Sequence, residues 1–193
     1  MWKSRDLALV ILLSVVSFLY TVFVGQLGNL ITGVLGLNYI FIFGHAIFIS
    51  FGFLMYEGRR WRFLLQTTLV ALLTIPTYMS GMPFDVLARI PMIIGAFFSD
   101  LILNSVYAVF RKRNRLVLWG TLAVFVFLIF TPFFVAMNMF LFYAPEVFTM
   151  YVTVYFLLLP VTIVEVVVGS IVGYKICKRV KKPLDVFSDS KTG

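Results

Sequence analysis

The sequence predicts an all-α, polytopic membrane protein: a bundle of six transmembrane helices, both termini in the cytoplasm. Three observations predict it. Of the 193 residues, 62% are hydrophobic, against roughly 45–50% apolar residues in soluble domains. These residues gather into runs close to the roughly 20 that cross a hydrocarbon core about 30 Å thick. Finally, 15 of the 16 Lys and Arg residues fall in four segments that six spans would bring to one face. Basic segments of this kind mark the cytoplasmic side.

Helix 1 is expected over residues 7–24. The stub before it resembles a signal-peptide n-region, but no small-x-small cleavage site follows closely, so an uncleaved first span is expected. An uncharged connector, 25–38, carries Gly25, Gly28, Gly33 and Gly36. Helix 2 is expected over 39–55, closed by the basic stretch Glu57-Gly58-Arg59-Arg60-Trp61-Arg62. Helix 3 should cover 63–79, with Pro76 bending or ending its last turn. Asp85 then stands where an N-cap would open helix 4, residues 86–110.

The cationic run 111–115 ends helix 4. Helix 5 starts at 116 and reaches 134, or 142 if Pro132 only kinks it; helix 6 covers 148–176 with Pro160 inside. Residues 1–180 thus form one membrane domain, and 181–193 a polar cytoplasmic tail expected to be disordered. Trp2, Trp61 and Trp119, with Tyr56, Tyr107 and Tyr174, fall at the cytoplasmic ends. Tyr39, Tyr78, Tyr143 and Tyr151 fall at the other, giving two aromatic belts. The expected location is the cell membrane.

The net charge of +8 suggests nucleic acid, but the basic residues sit in short clusters between apolar segments. Contact with anionic lipid headgroups accounts for that pattern, and no nucleic acid partner is expected. A single cysteine, Cys177, excludes an intramolecular disulfide and a cysteine metal cluster. One histidine without a second clustered ligand type, no serine in a nucleophile turn and no glycine-rich phosphate loop argue against an enzyme, a metal site or a cofactor.

Ionisable groups inside spans are costly and need an explanation. His45 lies 12 residues before Glu57, Asp100 lies 11 before Arg111, and Glu165 lies 10 before Lys175. At 1.5 Å per residue all three are about 15–18 Å deep. They form either a proton- or cation-sensitive site or a structural polar cluster with Asn104 or Thr162. Arg89 either pairs with Asp85 or presents a fixed cation to a ligand carboxylate or phosphate. Arg89 and Asp100 stand eleven residues apart, so they share one face of helix 4.

Ser14, Ser17 and Thr21 recur at helical spacing, a small-residue stripe that serves internal packing or docks a partner helix. Glu165, Gly169 and Gly173 repeat the theme on helix 6. At the outer end, Asn38, Tyr78, Asn138, Tyr143 and Tyr151 combine aromatic faces with amides, a chemistry suited to a small aromatic or heterocyclic ligand.

With six spans, cytoplasmic termini and basic inner loops, the chain resembles the substrate-binding S components of energy-coupling-factor (ECF) transporters. The features that carry this are the Ser14, Ser17, Thr21 stripe, the connector 25–38 and the stretch Arg-Ile-Pro-Met-Ile-Ile-Gly-Ala-Phe-Phe-Ser-Asp from Arg89 to Asp100. Here serines stand where that family has alanines spaced by three residues. The resemblance implies a vitamin-sized ligand covered by the connector, a coupling membrane subunit docked on helix 1, and separate ATPase subunits. Two other functions fit the same sequence: a self-sufficient proton-coupled carrier working through Asp100 and Glu165, and a membrane scaffold or assembly protein that transports nothing.

Overall fold

The computed structural model describes residues 2, 4–25, 27–33, 37–77 and 83–189, and their side chains apart from 28, 29, 38 and 182–189. Every regular element among the described residues is helical. Helix α1, Ser4–Tyr20, passes into a π-helical turn, Thr21–Gly25, and then α2, Leu27–Thr32. A 3-10 turn, Leu37–Phe41, leads into α3, Ile42–Tyr56, which is followed by α4, Arg62–Thr74. A second 3-10 turn, Leu87–Arg89, opens α5, Ile90–Lys112, and it is followed by α6, Leu116–Phe142, and α7, Pro145–Asp189.

Five of these segments are long and apolar enough to cross a membrane: Ser4–Thr32, Tyr39–Tyr56, Leu87–Lys112, Leu116–Phe142 and Pro145–Lys181. The sixth apolar helix, α4, has 13 residues, about 20 Å at 1.5 Å per residue, and is short of a full crossing. The protein is an all-helical, multi-pass membrane protein. Its outward surface agrees, with Ile11, Leu12, Phe23, Ile129, Phe140 and Leu157 all exposed, as lipid-facing side chains must be.

Contacts fix how the helices run. Asp6 meets Arg62, and Ser14 meets Gln66, so α1 and α4 are parallel. Thr21 meets His45, while Gly52 abuts Leu13, so α1 and α3 are antiparallel. Glu165 meets Ile42 and Lys181 meets Leu54, so α3 and α7 are parallel. Asp6, Arg59, Glu57 and Lys181 form a chain of ion pairs that brings the start of α1, the α3–α4 turn and the last third of α7 together.

Close packing follows the small residues. A Cβ placed on Gly169 or Gly173 of α7 would lie 2.7 Å from the carbonyl oxygen of Phe43 or Ile47 on α3. Such small faces let helix backbones approach in lipid, where no hydrophobic effect drives helices together.

Several elements differ from the sequence reading. Helix 3 ends at Thr74 rather than 79, because the chain turns at Ile75 and Pro76 before Thr77. Helix 5 takes the longer of its two expected courses, through Pro132 to Phe142, while the connector holds helix α2, which was not expected. Helix 6 begins at Pro145 and continues to Asp189, into the segment expected as a tail; Lys181 ties it to the Leu54 carbonyl and to Glu57. Trp119 belongs to no belt. It is fully buried and its indole N–H donates to the Leu103 carbonyl at 3.1 Å. Tyr107 packs against it and Tyr56 is buried as well, whereas Trp2 and Trp61 stay exposed.

Candidate functional site

Three groups of polar residues are built into the bundle. The first surrounds α4. Asp100 of α5 is fully buried, and its carboxylate accepts the N–H groups of Trp61 at 2.9 Å and Leu64 at 3.0 Å. The Asn104 amide donates to it from the next turn. The first N–H groups of a helix have no partner within it, so Asp100 caps α4 from a neighbouring helix. At the other end, the Arg89 guanidinium donates to the carbonyls of Thr74 at 3.3 Å, Thr77 at 2.8 Å and Asp85 at 2.7 Å. It is 3% exposed. Negative charge at a helix N-terminus and positive charge at its C-terminus both complement the macrodipole. The shared face of Arg89 and Asp100 is therefore a clamp on α4.

The second group lies where α1, α3 and α7 meet. Glu165 of α7 accepts the Ile42 N–H at 2.9 Å, the first of α3. The Tyr20 hydroxyl of α1 accepts the Gly44 N–H at 3.2 Å and donates to the Phe41 carbonyl at 2.8 Å. Its ring covers Gly44 so closely that no β-carbon fits there. The His45 ring meets Tyr20 edge-on at 5.1 Å, and its Nε2 lies 3.4 Å from the Thr21 hydroxyl. That hydroxyl, at the start of the π-helical turn, donates to the Ser17 carbonyl at 2.6 Å. Gly25 leaves room for the ring, since a Cβ there would lie 3.3 Å from Nε2.

The three ionisable groups expected at one depth thus serve two different places. Glu165 and His45 flank the start of α3, and Asp100 faces the start of α4. Among the described residues no hydrogen bond joins any two of them. The Ser14, Ser17 and Thr21 stripe is turned inward: all three are buried, and Ser14 donates to the Gln66 carbonyl of α4. The face that α1 presents outward is instead Leu7, Ile11, Leu12, Val15 and Leu19.

The third group occupies the opposite end of the bundle from the ion-pair chain. Tyr39, just before α3, shares a hydrogen bond of 2.8 Å with the Tyr151 hydroxyl and meets Tyr155 edge-on at 5.2 Å. Nearby in the chain order, Asn138 donates to the Leu87 carbonyl at 3.3 Å, and Tyr143 donates to Asp85 at 2.7 Å. Asp85 also accepts the Ala88 N–H of the 3-10 turn, but it is not the N-cap expected of it, because α5 begins only at Ile90, after that turn. The Tyr143 hydroxyl holds the Asp85 carboxyl below its usual range, and the Ala88 N–H adds to this. Partial burial, then the hydrogen bond to Asp85 and its charge, pushes the Tyr143 hydroxyl up to about 12. Tyr78 and the Asn38 side chain lie outside the described residues.

The sequence reading missed Tyr20 and Gln66. Tyr20 had a signal, since a tyrosine inside a span needs a partner for its hydroxyl. Gln66 accepts the Tyr56 hydroxyl at 2.7 Å, a pairing ten residues apart across a turn that spacing alone does not disclose. Comparison with protein-family models, with curated proteins and with solved structures gives no match to this chain.

Proposed function

We propose that the protein is a substrate-capture subunit of an ECF-type importer, with six membrane segments, cytoplasmic termini and no motor of its own. The single observation that carries the reading is the Tyr39–Tyr151–Tyr155 cluster. It joins the residue that follows the connector to the last helix, at the end of the bundle away from the cationic turns. Tyr39 and Tyr151 are buried against each other, and a vitamin-sized ligand covered by the connector would stack on the half-buried Tyr155 beside them. The alternation of helix directions, with the start of α1 and the last third of α7 meeting in one ion-pair chain, supports an even number of segments. The cationic residues at that end support its facing the cytoplasm.

Native mass spectrometry of gently purified protein tests the reading, because it reports ligand and partners together. A retained small molecule, lost in Tyr151→Ala, and co-purifying coupling and ATPase subunits are the expected result. A bare chain in every preparation removes the reading. A second reading, a non-transporting scaffold, is favoured by the use of Asp100, Arg89 and Glu165 to hold helix ends. Unimpaired uptake of candidate ligands in a deletion strain, with a defective membrane complex, would select it. The proton-coupled carrier has less support, since both carboxylates are occupied by backbone N–H groups.

A further inference from the structure

We propose that the outer third of α6, residues 133–142, is a hinged arm that pivots at Pro132 and is latched to the start of α5 through Tyr143 and Asn138. The inference goes beyond the transport reading and does not need a ligand. It starts from packing. The buried residues of α6 are Trp119, Gly120, Ala123, Val124, Phe127, Leu128 and Pro132, so none lies past the proline. Beyond it, Phe133, Met137, Phe140, Leu141 and Phe142 are all between 44% and 70% exposed. These side chains face lipid, so the arm meets the rest of the bundle only through its partly buried side, and a segment without fully buried side chains opens more readily than the core.

The pivot has a chemical cause. Pro132 has no N–H, so the Leu128 carbonyl four residues earlier loses its helical partner. The Tyr155 hydroxyl of α7 donates to that carbonyl at 3.3 Å instead. A side chain thus replaces a backbone bond and leaves the helix free to bend there. On the other side Gly95 of α5 abuts Thr131, its missing Cβ only 3.1 Å from the threonine backbone. The inner two thirds of α6 are gripped at this point, and bending is confined to the residues past Pro132.

Above the pivot Val135, Ala136 and Met139 lie partly buried against the core, and none of the arm's side chains is fully buried. Phe134 stacks on Phe98 at 5.6 Å, and Phe140 meets Phe148 edge-on at 5.6 Å. Its directional bonds are Asn138 to the Leu87 carbonyl and Tyr143 to Asp85, both exposed. Exposed hydrogen bonds compete with water and release easily, as a latch must. Release would swing the arm away from α5 and open the bundle beside the tyrosine cluster, since Tyr155 touches both the pivot and Tyr39.

The test is a distance measurement on the full chain in lipid nanodiscs. Spin labels are placed at Val86→Cys and Leu141→Cys in a Cys177→Ser background, and pulsed dipolar spectroscopy reads the separation. One short distance is expected for the latched protein. Tyr143→Phe, which removes a single exposed hydroxyl, should add a second, longer distance, and Asp85→Asn should do the same. Pro132→Ala restores the Leu128 bond and should remove the longer population from the Tyr143→Phe protein. Tyr155→Phe, which frees the Leu128 carbonyl, should enlarge it. Unchanged distances in both Tyr143→Phe and Tyr155→Phe overturn the proposal, whatever native mass spectrometry finds.

Discussion

Removing the Asp100 carboxylate should unseat α4. The group is fully buried, and in Asp100→Ala the N–H groups of Trp61 and Leu64 lose their acceptor. An unsatisfied buried donor costs about 1–3 kcal/mol, so two give about 4 kcal/mol. Asp100→Asn keeps one acceptor oxygen but loses the charge at the helix N-terminus, and should cost about 2 kcal/mol. For a chain of this size each kcal/mol lowers the melting temperature by about 2–4 °C, so Asp100→Ala should melt about 8–16 °C early. Far-UV circular dichroism of purified protein in detergent, heated through the transition, measures it. A proton-relay role would give the opposite pattern, with stability spared in Asp100→Asn and uptake lost. An Asp100→Ala protein melting within about 2 °C of the parent would refute the capping argument.

Glu165→Ala strands the Ile42 N–H and should cost about 1–3 kcal/mol in the same melt, while Glu165→Gln, which retains an acceptor, should cost less. Gly44→Ala drives the Tyr20 ring off its two hydrogen bonds and should destabilise by about 2 kcal/mol, more than Tyr20→Phe, as chemical denaturation would show. The Tyr143–Asp85 latch should depend on pH, with Arg89 the nearby fixed charge. The Asp85 carboxyl is lowered when latched, so the latch is complete above the ordinary carboxylate pKa of about 4 and fails as the pH falls through the lowered value. At the alkaline end it fails as the Tyr143 hydroxyl ionises, near the value of about 12 to which it is raised. The same label pair should therefore show its longer distance in acid and not at neutral pH. Gly173→Val should push α7 off the Ile47 carbonyl of α3 and lower the melting temperature, at a cost of about 1–3 kcal/mol.

The helices were legible because lipid imposes a length and a composition on anything that crosses it. Pro76 marked the end of α4 for the reason that makes proline a helix breaker, and the chain turns there. Pro132 could not be resolved from sequence alone, since whether a proline breaks or bends a helix depends on a partner for the freed carbonyl. Tyr155 supplies it from 27 residues away. Depth counting put His45, Asp100 and Glu165 at one level but carries no azimuth, so it could not say which neighbour each side chain faces. The common face of Arg89 and Asp100 was visible in their eleven-residue spacing, whereas the object they grip was not, because the short length of α4 emerges only in the fold. Trp119 illustrates the same limit: position near a helix end suggested an interface, and packing against Phe53 and Tyr107 decided for the core.

The intramembrane acids owe their places to helix length. A backbone N–H in the membrane interior has no water to bond, so a helix that begins inside the bundle must find an acceptor within the protein. α3 and α4, with 15 and 13 residues, are the two shortest of the helices that run through the bundle. Each takes its acceptor from a long neighbour, Glu165 of α7 or Asp100 of α5. A carboxylate suits the task better than a neutral acceptor, since it offers two oxygens and a charge opposed to the helix dipole. Arg89 completes the argument at the other end of α4. Eleven residues of α5 span about 16 Å, close to the 20 Å or so of α4, so one antiparallel helix reaches both ends of its neighbour at once. Sliding α4 by a single turn, about 5.4 Å, would break both caps together. The two charges thereby specify the register of two apolar helices whose packing alone would tolerate several.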